Sequence, residues 1–193
     1  MRSFCVFCGS RTGENPLYEE KAKELGQLMV QQGIELVYGG GSIGLMGTIA
    51  TAVMDAGGKA VGVIPKFLDE MEVGHKGITH LILVDSMHQR KQKMESISEG
   101  VIAMPGGFGT LEELTEILTW AQLKLVKKPI GLLNVNGYYD PFLRLVDHMV
   151  EEGFLSEKNR KLLMSDSEPH ALLEQMKSYH AAEGASQMKS NQT

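Results

Sequence analysis

Short apolar runs alternate with amphipathic stretches along most of the chain. The apolar runs have the length of strands and are bounded by turn residues, which predicts strands at 3–8, 34–38, 60–64, 80–84, 100–104 and 130–134, with a short last one at 162–164. Between them, apolar residues recur at helical spacing and predict helices at 16–33, 45–56, 86–98, 111–123, 141–153 and 169–179. Strands that alternate with helices form parallel sheets. We therefore expect an α/β fold with a doubly wound, mainly parallel, Rossmann-like sheet of about six or seven strands.

Two segments fall outside this alternation. Residues 65–79 lack clean periodicity and contain Gly74 and Gly77, which predicts a long connection of the kind that often forms a lid. Glu72 and His75 lie in it, and composition alone makes them solvated loop residues. Residues 181–193 are polar and rich in small residues, which predicts a frayed C-terminal tail. A chain of 193 residues without a linker or repeat is expected to form one domain, at residues 1–180.

A glycine-rich turn joins the predicted strand at 100–104 to the helix that follows it. The turn reads Pro-Gly-Gly-Phe-Gly-Thr from Pro105 to Thr110, and its glycines leave backbone N–H groups unobstructed at a helix start. Such a turn favours a bound anion, most often a phosphate. Thr110 and Glu113 also fit the pattern of a capping box. Glu113 is therefore either a helix cap or a carboxylate that faces a ligand, and the pattern alone leaves both open.

Two further stretches point to ligand chemistry. The loop after the second strand matches G-x-G-x-x-G at Gly39, Gly41 and Gly44, but the next strand does not end in the acidic residue that a dinucleotide site needs. A second phosphate-type or ribose-facing loop is the better interpretation. Arg90 and Lys91 lie near a predicted helix N-terminus, where cations are electrostatically disfavoured. They are either a solvated basic stretch or partners of an anionic ligand, for which arginine is well suited.

Composition and charge exclude several classes of function. The net charge of −5 and the pI near 5.7 give no electrostatic footprint for nucleic acid. No apolar run has the length of a signal peptide or a membrane span, so we expect a cytoplasmic protein without a membrane partner.

Cys5 and Cys8 form C-x-x-C, but positions i and i+3 of a strand point to opposite faces, about 10 Å apart. We interpret them as buried strand cysteines, and the sequence carries no metal or cofactor signature.

The motifs together resemble the LONELY GUY (LOG) family of cytokinin riboside 5'-monophosphate phosphoribohydrolases, formerly often labelled lysine decarboxylases. The family signature Pro-Gly-Gly-x-Gly-Thr-x-x-Glu is met from Pro105 to Glu113, with Phe108 at a variable position where many relatives have Tyr. Five other segments match in family order, at 7–10, 39–47, 87–91, 119–122 and 131–134 with 137–139. Nothing in the chain resembles a pyridoxal phosphate site, which argues against the decarboxylase label.

The resemblance implies hydrolysis of the N-glycosidic bond of a nucleoside 5'-monophosphate, either a cytokinin riboside 5'-monophosphate or AMP, without metal or cofactor. It also implies a homodimer. Its catalytic pair is Arg90, for charge stabilisation and ligand orientation, and Glu113, for the ribosyl centre and water. The implied substrate contacts are this pair with Glu72, Lys91, Gly107, Phe108, Gly109, Thr110, Leu111, Glu112 and Thr119. Additional loop contacts are expected at Gly9, Ser10, Gly40, Gly41 and Gly44.

Two alternatives to this reaction stay open. A non-catalytic nucleotide or cofactor carrier on the same fold would need the glycine loops but not both Arg90 and Glu113. A general nucleotide-salvage hydrolase that acts on AMP would share all of these residues, and no residue can be assigned to the N6 substituent of the base. In a homodimer with the signature helix near the partner, Trp120 and Leu123 would be interface rather than core, and the sequence does not separate the two.

Overall fold

The computed structural model describes residues 1–72 and 74–179 of the 193-residue chain. Strands and helices alternate along them. The strands are β1 (Ser3–Phe7), β2 (Glu35–Tyr38), β3 (Ala60–Pro65), β4 (His80–Val84), β5 (Gly100–Ala103), β6 (Ile130–Leu133) and β7 (Leu163–Asp166). The helices are α1 (Leu17–Gln31), α2 (Gly44–Asp55), α3 (Lys66–Glu72), α4 (Met87–Ser96), α5 (Phe108–Gln122), α6 (Asp140–Glu151), α7 (Glu157–Arg160) and α8 (Pro169–Lys177).

The seven strands form one parallel sheet in the order β4-β3-β2-β1-β5-β6-β7. The chain builds outward from β1 to one edge and then returns to the other side of β1 with β5. The strand order therefore reverses between β1 and β5, and doubly wound sheets bind ligands outside the carboxyl ends of the strands at such a point. The predicted fold class, including the parallel sheet, is confirmed.

Alternate strand residues fill two cores, one on each face of the sheet. The first core packs against α1, α2 and α8, and the second against α4, α5 and α6. Cys8 belongs to the first core and Cys5 to the second, so the two side chains point to opposite faces as predicted. Both are buried and free, and burial raises the pKa of each thiol well above its ordinary value. Thiols held in the neutral form are poor nucleophiles and metal ligands.

Two short helices, α3 and α7, do not follow from the sequence patterns. They are too short for a helical period to be recognised. The prediction of an irregular connection at 65–79 is wrong for its first half, which α3 occupies. The rest of the connection contacts the second glycine loop, at 39–44. The N–H of His75 donates to the carbonyl of Gly40 at 2.9 Å, and Gly74 forms an isolated antiparallel β-bridge with Gly41. The predicted frayed tail lies outside the described residues.

None of the helices in residues 1–72 and 74–179 combines the length and the apolar character that a membrane span requires.

Candidate active site

A cleft of about 330 Å³ opens beyond the carboxyl ends of β1 and β5, at the switch point of the sheet. Five polar or charged side chains are buried in the described part of the chain, and three of them, Arg90, Thr110 and Glu113, line this cleft. Burying such groups costs free energy unless they are paired or used. Their concentration therefore marks the cleft as the candidate site.

A larger surface groove, of about 900 Å³, lies between α1 and α2. Its charged lining residues include Lys23 and Asp55, which are exposed, and none of the buried polar side chains in the described residues reaches it. Volume alone is no sign of chemistry, so the smaller cleft at the switch point is the better candidate.

The glycine-rich turn that begins at Pro105, here called the signature turn, joins β5 directly to α5. The helix begins at Phe108 with Gly107 as its N-cap residue, so the predicted capping box of Thr110 and Glu113 is wrong. In the described structure, the N–H groups of Gly107, Phe108, Gly109 and Thr110 donate no hydrogen bond. These four residues line the cleft, where their free N–H groups and the positive end of the helix dipole suit an anion.

Arg90 reaches the cleft from the first turn of α4 and is only 7% exposed. Its Nη2 donates to the carbonyl of Gly39 at 3.0 Å, and its Nη1 contacts the sulfur of Met87 at 3.8 Å. Its Nε is buried and has no partner among the described residues. A buried donor without a partner is costly. Within the described residues, the guanidinium therefore keeps one donor unsatisfied beside the cleft that Arg90 lines.

Glu113 faces the same cleft from α5 and is 9% exposed. Burial raises the pKa of its carboxyl from 4.5 to about 7, against the opposing effect of the positive charge on Arg90. The negative charge of Glu112 adds to the rise, and the positive charge of Lys91 reduces it. Because a pKa near 7 populates both protonation states at neutral pH, Glu113 has the acid–base range of a catalytic carboxyl.

Lys91 is buried but does not line the cleft. Its Nζ pairs with Glu112 and, at 3.0 Å, with Glu116, which joins α4 to α5 beside Glu113. Desolvation lowers the pKa of Lys91, but the hydrogen bonds to the two carboxylates outweigh it and the net shift is upward. The structure therefore brings Lys91 and Glu112 together as an ion pair at the edge of the cleft.

The second glycine loop mainly packs the fold. A Cβ at Gly44 would lie 2.2 Å from the backbone of Ser10, and Gly40 has a φ of +79° and is hemmed in by side chains of the sheet. Gly41 forms the bridge to the segment after α3. Only Gly39 lines the cleft, and a Cβ there would lie 1.9 Å from Nη2 of Arg90. The main contribution of this loop to the site is the space that it leaves for the guanidinium.

The remaining predicted residues divide between the cleft and the body of the protein. Thr119 is exposed on α5 and donates to the carbonyl of Thr115 at 2.8 Å, and Leu111 packs against the core, so neither lines the cleft. Phe108 is 92% exposed at its rim. Glu72 ends α3, but its side chain lies outside the described part of the structure. The predicted residues that line the cleft are Gly9, Ser10, Arg90, Gly107, Phe108, Gly109, Thr110, Glu112 and Glu113.

The cleft also has an apolar wall that the sequence patterns do not predict, and it includes Met46, Leu68 and Met87. Leu68 lies on α3, the helix that the sequence did not predict. Met87 precedes Arg90 by three residues, and this helical spacing is a signal that could have placed the two side chains together. Tyr138 is likewise not predicted to contact the signature turn, yet its hydroxyl donates to the carbonyl of Gly106 at 2.5 Å.

The fold and the cleft together define a class of protein. It is a doubly wound α/β domain whose switch-point cleft offers free helix N-terminal donors, a buried arginine and a carboxyl that titrates near neutral pH. Such a cleft suits a small molecule with an anionic end and a reactive centre some bonds away from it.

Comparison with known proteins identifies the family. Residues 46–176 match a family described as "Possible lysine decarboxylase". The chain is 48% identical over 178 residues to the cytokinin riboside 5'-monophosphate phosphoribohydrolase LOG of Oryza sativa subsp. japonica, across 92% of this chain and 74% of that protein. It is 47% identical over 178 residues to an Arabidopsis thaliana protein of the same description, across 92% and 82%. The chain therefore belongs to the LONELY GUY (LOG) family, as its motifs predict.

Solved structures share the fold at lower sequence similarity. The molybdenum cofactor carrier protein from Chlamydomonas reinhardtii superposes with a TM-score of 0.65 at 21% identity, across 92% of this chain and 98% of the other. At this level of identity the likeness concerns the fold alone.

Proposed function

We propose that this protein hydrolyses the N-glycosidic bond of a nucleoside 5'-monophosphate and releases the free base and ribose 5-phosphate. The observation that carries the proposal is the placement of Glu113 and Arg90, both buried, in one cleft with a free helix N-terminus. The relatives that match over most of the chain are named for this reaction on cytokinin riboside 5'-monophosphates.

The phosphate binds at the start of α5. The free N–H groups of Gly107 and Gly109 and the hydroxyl of Thr110 are the donors there, and the helix dipole adds positive potential. Phosphate bound at this end directs the rest of the nucleotide along the cleft toward Arg90 and Glu113. This separation lets a carboxylate and a phosphate, which repel each other, address different parts of one molecule.

Glu113 acts at the ribosyl centre. As the bond between C1' and the base breaks, positive charge develops on the ribose, and an ionised carboxylate stabilises it as carboxylates do in glycosidases. Water adds to C1' and one of its protons passes to Glu113. The base leaves with the electron pair of the broken bond and takes up a proton from solvent, and Glu113 releases its own proton to solvent. Arg90, whose side chain lines the cleft, orients the ligand through its guanidinium and offsets negative charge.

Product analysis by chromatography tests the proposal. Wild type, Glu113→Gln and Glu20→Gln are incubated with isopentenyladenosine monophosphate, AMP and the unphosphorylated riboside. Glu20 is an exposed glutamate on α1 and serves as a control for loss of a carboxylate far from the cleft. We expect wild type and Glu20→Gln to release base from a monophosphate and not from the riboside, and Glu113→Gln to lose this activity.

The same experiment separates the alternatives. The ratio of rates on the two monophosphates ranks cytokinin activation against general nucleotide salvage. Nucleotide binding by the wild type without release of any base would establish the carrier and refute the catalytic roles of Arg90 and Glu113.

A homodimer is the assembly that the apolar surface favours. The apolar face of α6 buries only Val146 and leaves Leu145 50% and Met149 37% exposed. Leu123 and Leu125, which follow α5, are 60% and 71% exposed, and α5 packs on the same face of the sheet. Exposed apolar area of this kind marks protein interfaces. A cytoplasmic location is part of the same proposal.

Sedimentation velocity tests the dimer. The double substitution Leu145→Glu with Met149→Glu should give a monomer, whereas Lys23→Glu on α1, on the opposite face, should leave the dimer intact. A wild type that sediments as a monomer at micromolar concentration would refute this assembly.

A further inference from the structure

Three successive carbonyl groups, at the end of β5 and the start of the signature turn, accept hydrogen bonds from residues outside the turn. The carbonyl of Met104 accepts from the hydroxyl of Tyr139 at 2.6 Å, and the carbonyl of Gly106 accepts from the hydroxyl of Tyr138 at 2.5 Å. Between them, the carbonyl of Pro105 accepts from the N–H of Gly9 at 3.0 Å. Both tyrosines follow β6, so a neighbouring strand supplies the donors that fix the turn.

The bond from Tyr138 fixes the direction of an N–H as well as that of a carbonyl. A trans peptide is planar, and its C=O and N–H point in opposite directions. Holding the carbonyl of Gly106 therefore aims the N–H of Gly107 the other way. Tyr138 lines a second hollow of about 380 Å³ behind the turn, whereas Gly107 lies between that hollow and the cleft and lines both. The N–H of Gly107 is thereby directed away from Tyr138, and the cleft is the space that Gly107 lines and Tyr138 does not.

This peptide is the one in the turn that needs such a restraint. It lies between two glycines, whose backbones cross between conformations at little steric cost. A Cβ at position 107 would meet no atom within 4 Å, so packing does not hold the residue. Among the described residues, the hydroxyl of Tyr138 is the one donor to the carbonyl of Gly106. Without this hydrogen bond, the peptide can turn over and present its carbonyl, a partial negative charge, where the N–H had been.

We propose that Tyr138 is a positioning residue for the phosphate, because its hydroxyl keeps the Gly106–Gly107 peptide in the orientation that donates into the cleft. The proposal rests on the proposed function for the identity of the anion as the phosphate of a nucleotide. It assigns to Tyr138 a task that needs no contact with the ligand.

Tyr139 provides a matched control. Its hydroxyl holds the carbonyl of Met104, and the next residue is Pro105, which has no N–H. Tyr139→Phe therefore removes a hydrogen bond to the same turn without redirecting any donor. Phenylalanine at either position keeps the ring contacts, which join Tyr138 to Tyr18 at 5.8 Å and to Tyr139 at 5.0 Å between centroids.

Calorimetric titration with ribose 5-phosphate tests the proposal, since this ligand is not consumed. We expect Tyr138→Phe to bind it about tenfold more weakly than wild type, the value of one hydrogen bond to a charged group. Tyr139→Phe should bind within about twofold of wild type, although it loses thermal stability because a buried carbonyl is left unpaired. Equal binding by wild type and Tyr138→Phe would overturn the proposal. So would an equal loss in both variants, because it would mean a general loosening of the turn.

Failure of the proposed function leaves a different result. If ribose 5-phosphate binds with the expected pattern but wild type releases no base from any monophosphate, the hydrolase is refuted and the role of Tyr138 stands. If wild type does not bind ribose 5-phosphate or inorganic phosphate at all, the phosphate site and the role of Tyr138 fall together.

Discussion

Gly39→Ala is the substitution that most directly tests how the cleft positions its arginine. The new Cβ would lie 1.9 Å from Nη2 of Arg90, 2.9 Å from the sulfur of Met46 and 3.1 Å from Cζ of Arg90. Ordinary contact begins near 3.4 Å, so the guanidinium has to retreat by about 1.5 Å. The retreat also breaks its hydrogen bond to the carbonyl of Gly39, which now measures 3.0 Å.

The effect on the reaction follows from this displacement. A misplacement of about 1 Å in a catalytic group costs on the order of a hundredfold in rate. We therefore expect kcat/KM for the monophosphate to fall by about a hundredfold, or about 2.7 kcal/mol of transition-state stabilisation. Much of the loss should fall on kcat, because the phosphate donors at the start of α5 are untouched.

Steady-state base release by Gly39→Ala, beside Gly77→Ala, measures the effect. Gly77 lies in the segment after α3, where a Cβ would approach only the imidazole of His75, at 3.3 Å, and nothing in the cleft. Circular dichroism and thermal melting check that both variants are folded. If a folded Gly39→Ala retains wild-type kcat/KM, Arg90 does not act from its observed position, and the reasoning about this loop is refuted.

Two further predictions concern the charges around Glu113. Its pKa is about 7 in the folded protein against 4.5 ordinarily, so the folded state binds more protons than the unfolded state between these values, and stability falls as pH rises through that window. Glu113→Gln removes this loss, and its melting temperature relative to wild type should rise between pH 5 and pH 8; a difference independent of pH would contradict the shifted pKa. Lys91→Met removes a positive charge that lowers the pKa of Glu113, so the midpoint at which kcat/KM rises with pH should move up from about 7 by about half a pH unit. A midpoint that stays in place would mean that the ion pair with Glu112 and Glu116 has no electrostatic influence on the site.

The fold follows closely from the sequence because its signals are local and repeated. Most of the strands are short apolar runs, and the bounds that the sequence predicts for every strand of the sheet lie within two residues of the observed ones. The patterns fail where an element is too short to show a period, as for α3 and α7. They also misplace the start of α5, because Thr110 and Glu113 fit a capping box by composition while the helix begins at Phe108.

The site was less predictable, because its geometry depends on contacts between distant segments. Two glycine loops look alike in the sequence, yet one leaves its N–H groups free and the other packs against strands and makes room for Arg90. The interpretation of a second ligand-facing loop could not anticipate this, since Gly39 and Arg90 are 51 positions apart. Lys91 and Glu112 each look like a ligand contact in the sequence, and only the packing of α4 against α5 pairs them.

The charge of Glu113 argues for chemistry rather than carriage. At neutral pH, its raised pKa corresponds to a cost of about 3 kcal/mol of folding stability when the carboxyl is ionised. In a protein that only carried an anionic ligand, a neutral residue at this position would increase the folding stability. It would also increase the affinity for the ligand, because a carboxylate repels the phosphate. The free N–H groups of the signature turn and the restraint by Tyr138 serve carriage and catalysis equally well. The positive charges of Arg90 and Lys91 offset only part of this cost in the folded protein. The positive charge that develops on the ribose of a breaking N-glycosidic bond gives the carboxylate a further partner, which is present only in the transition state.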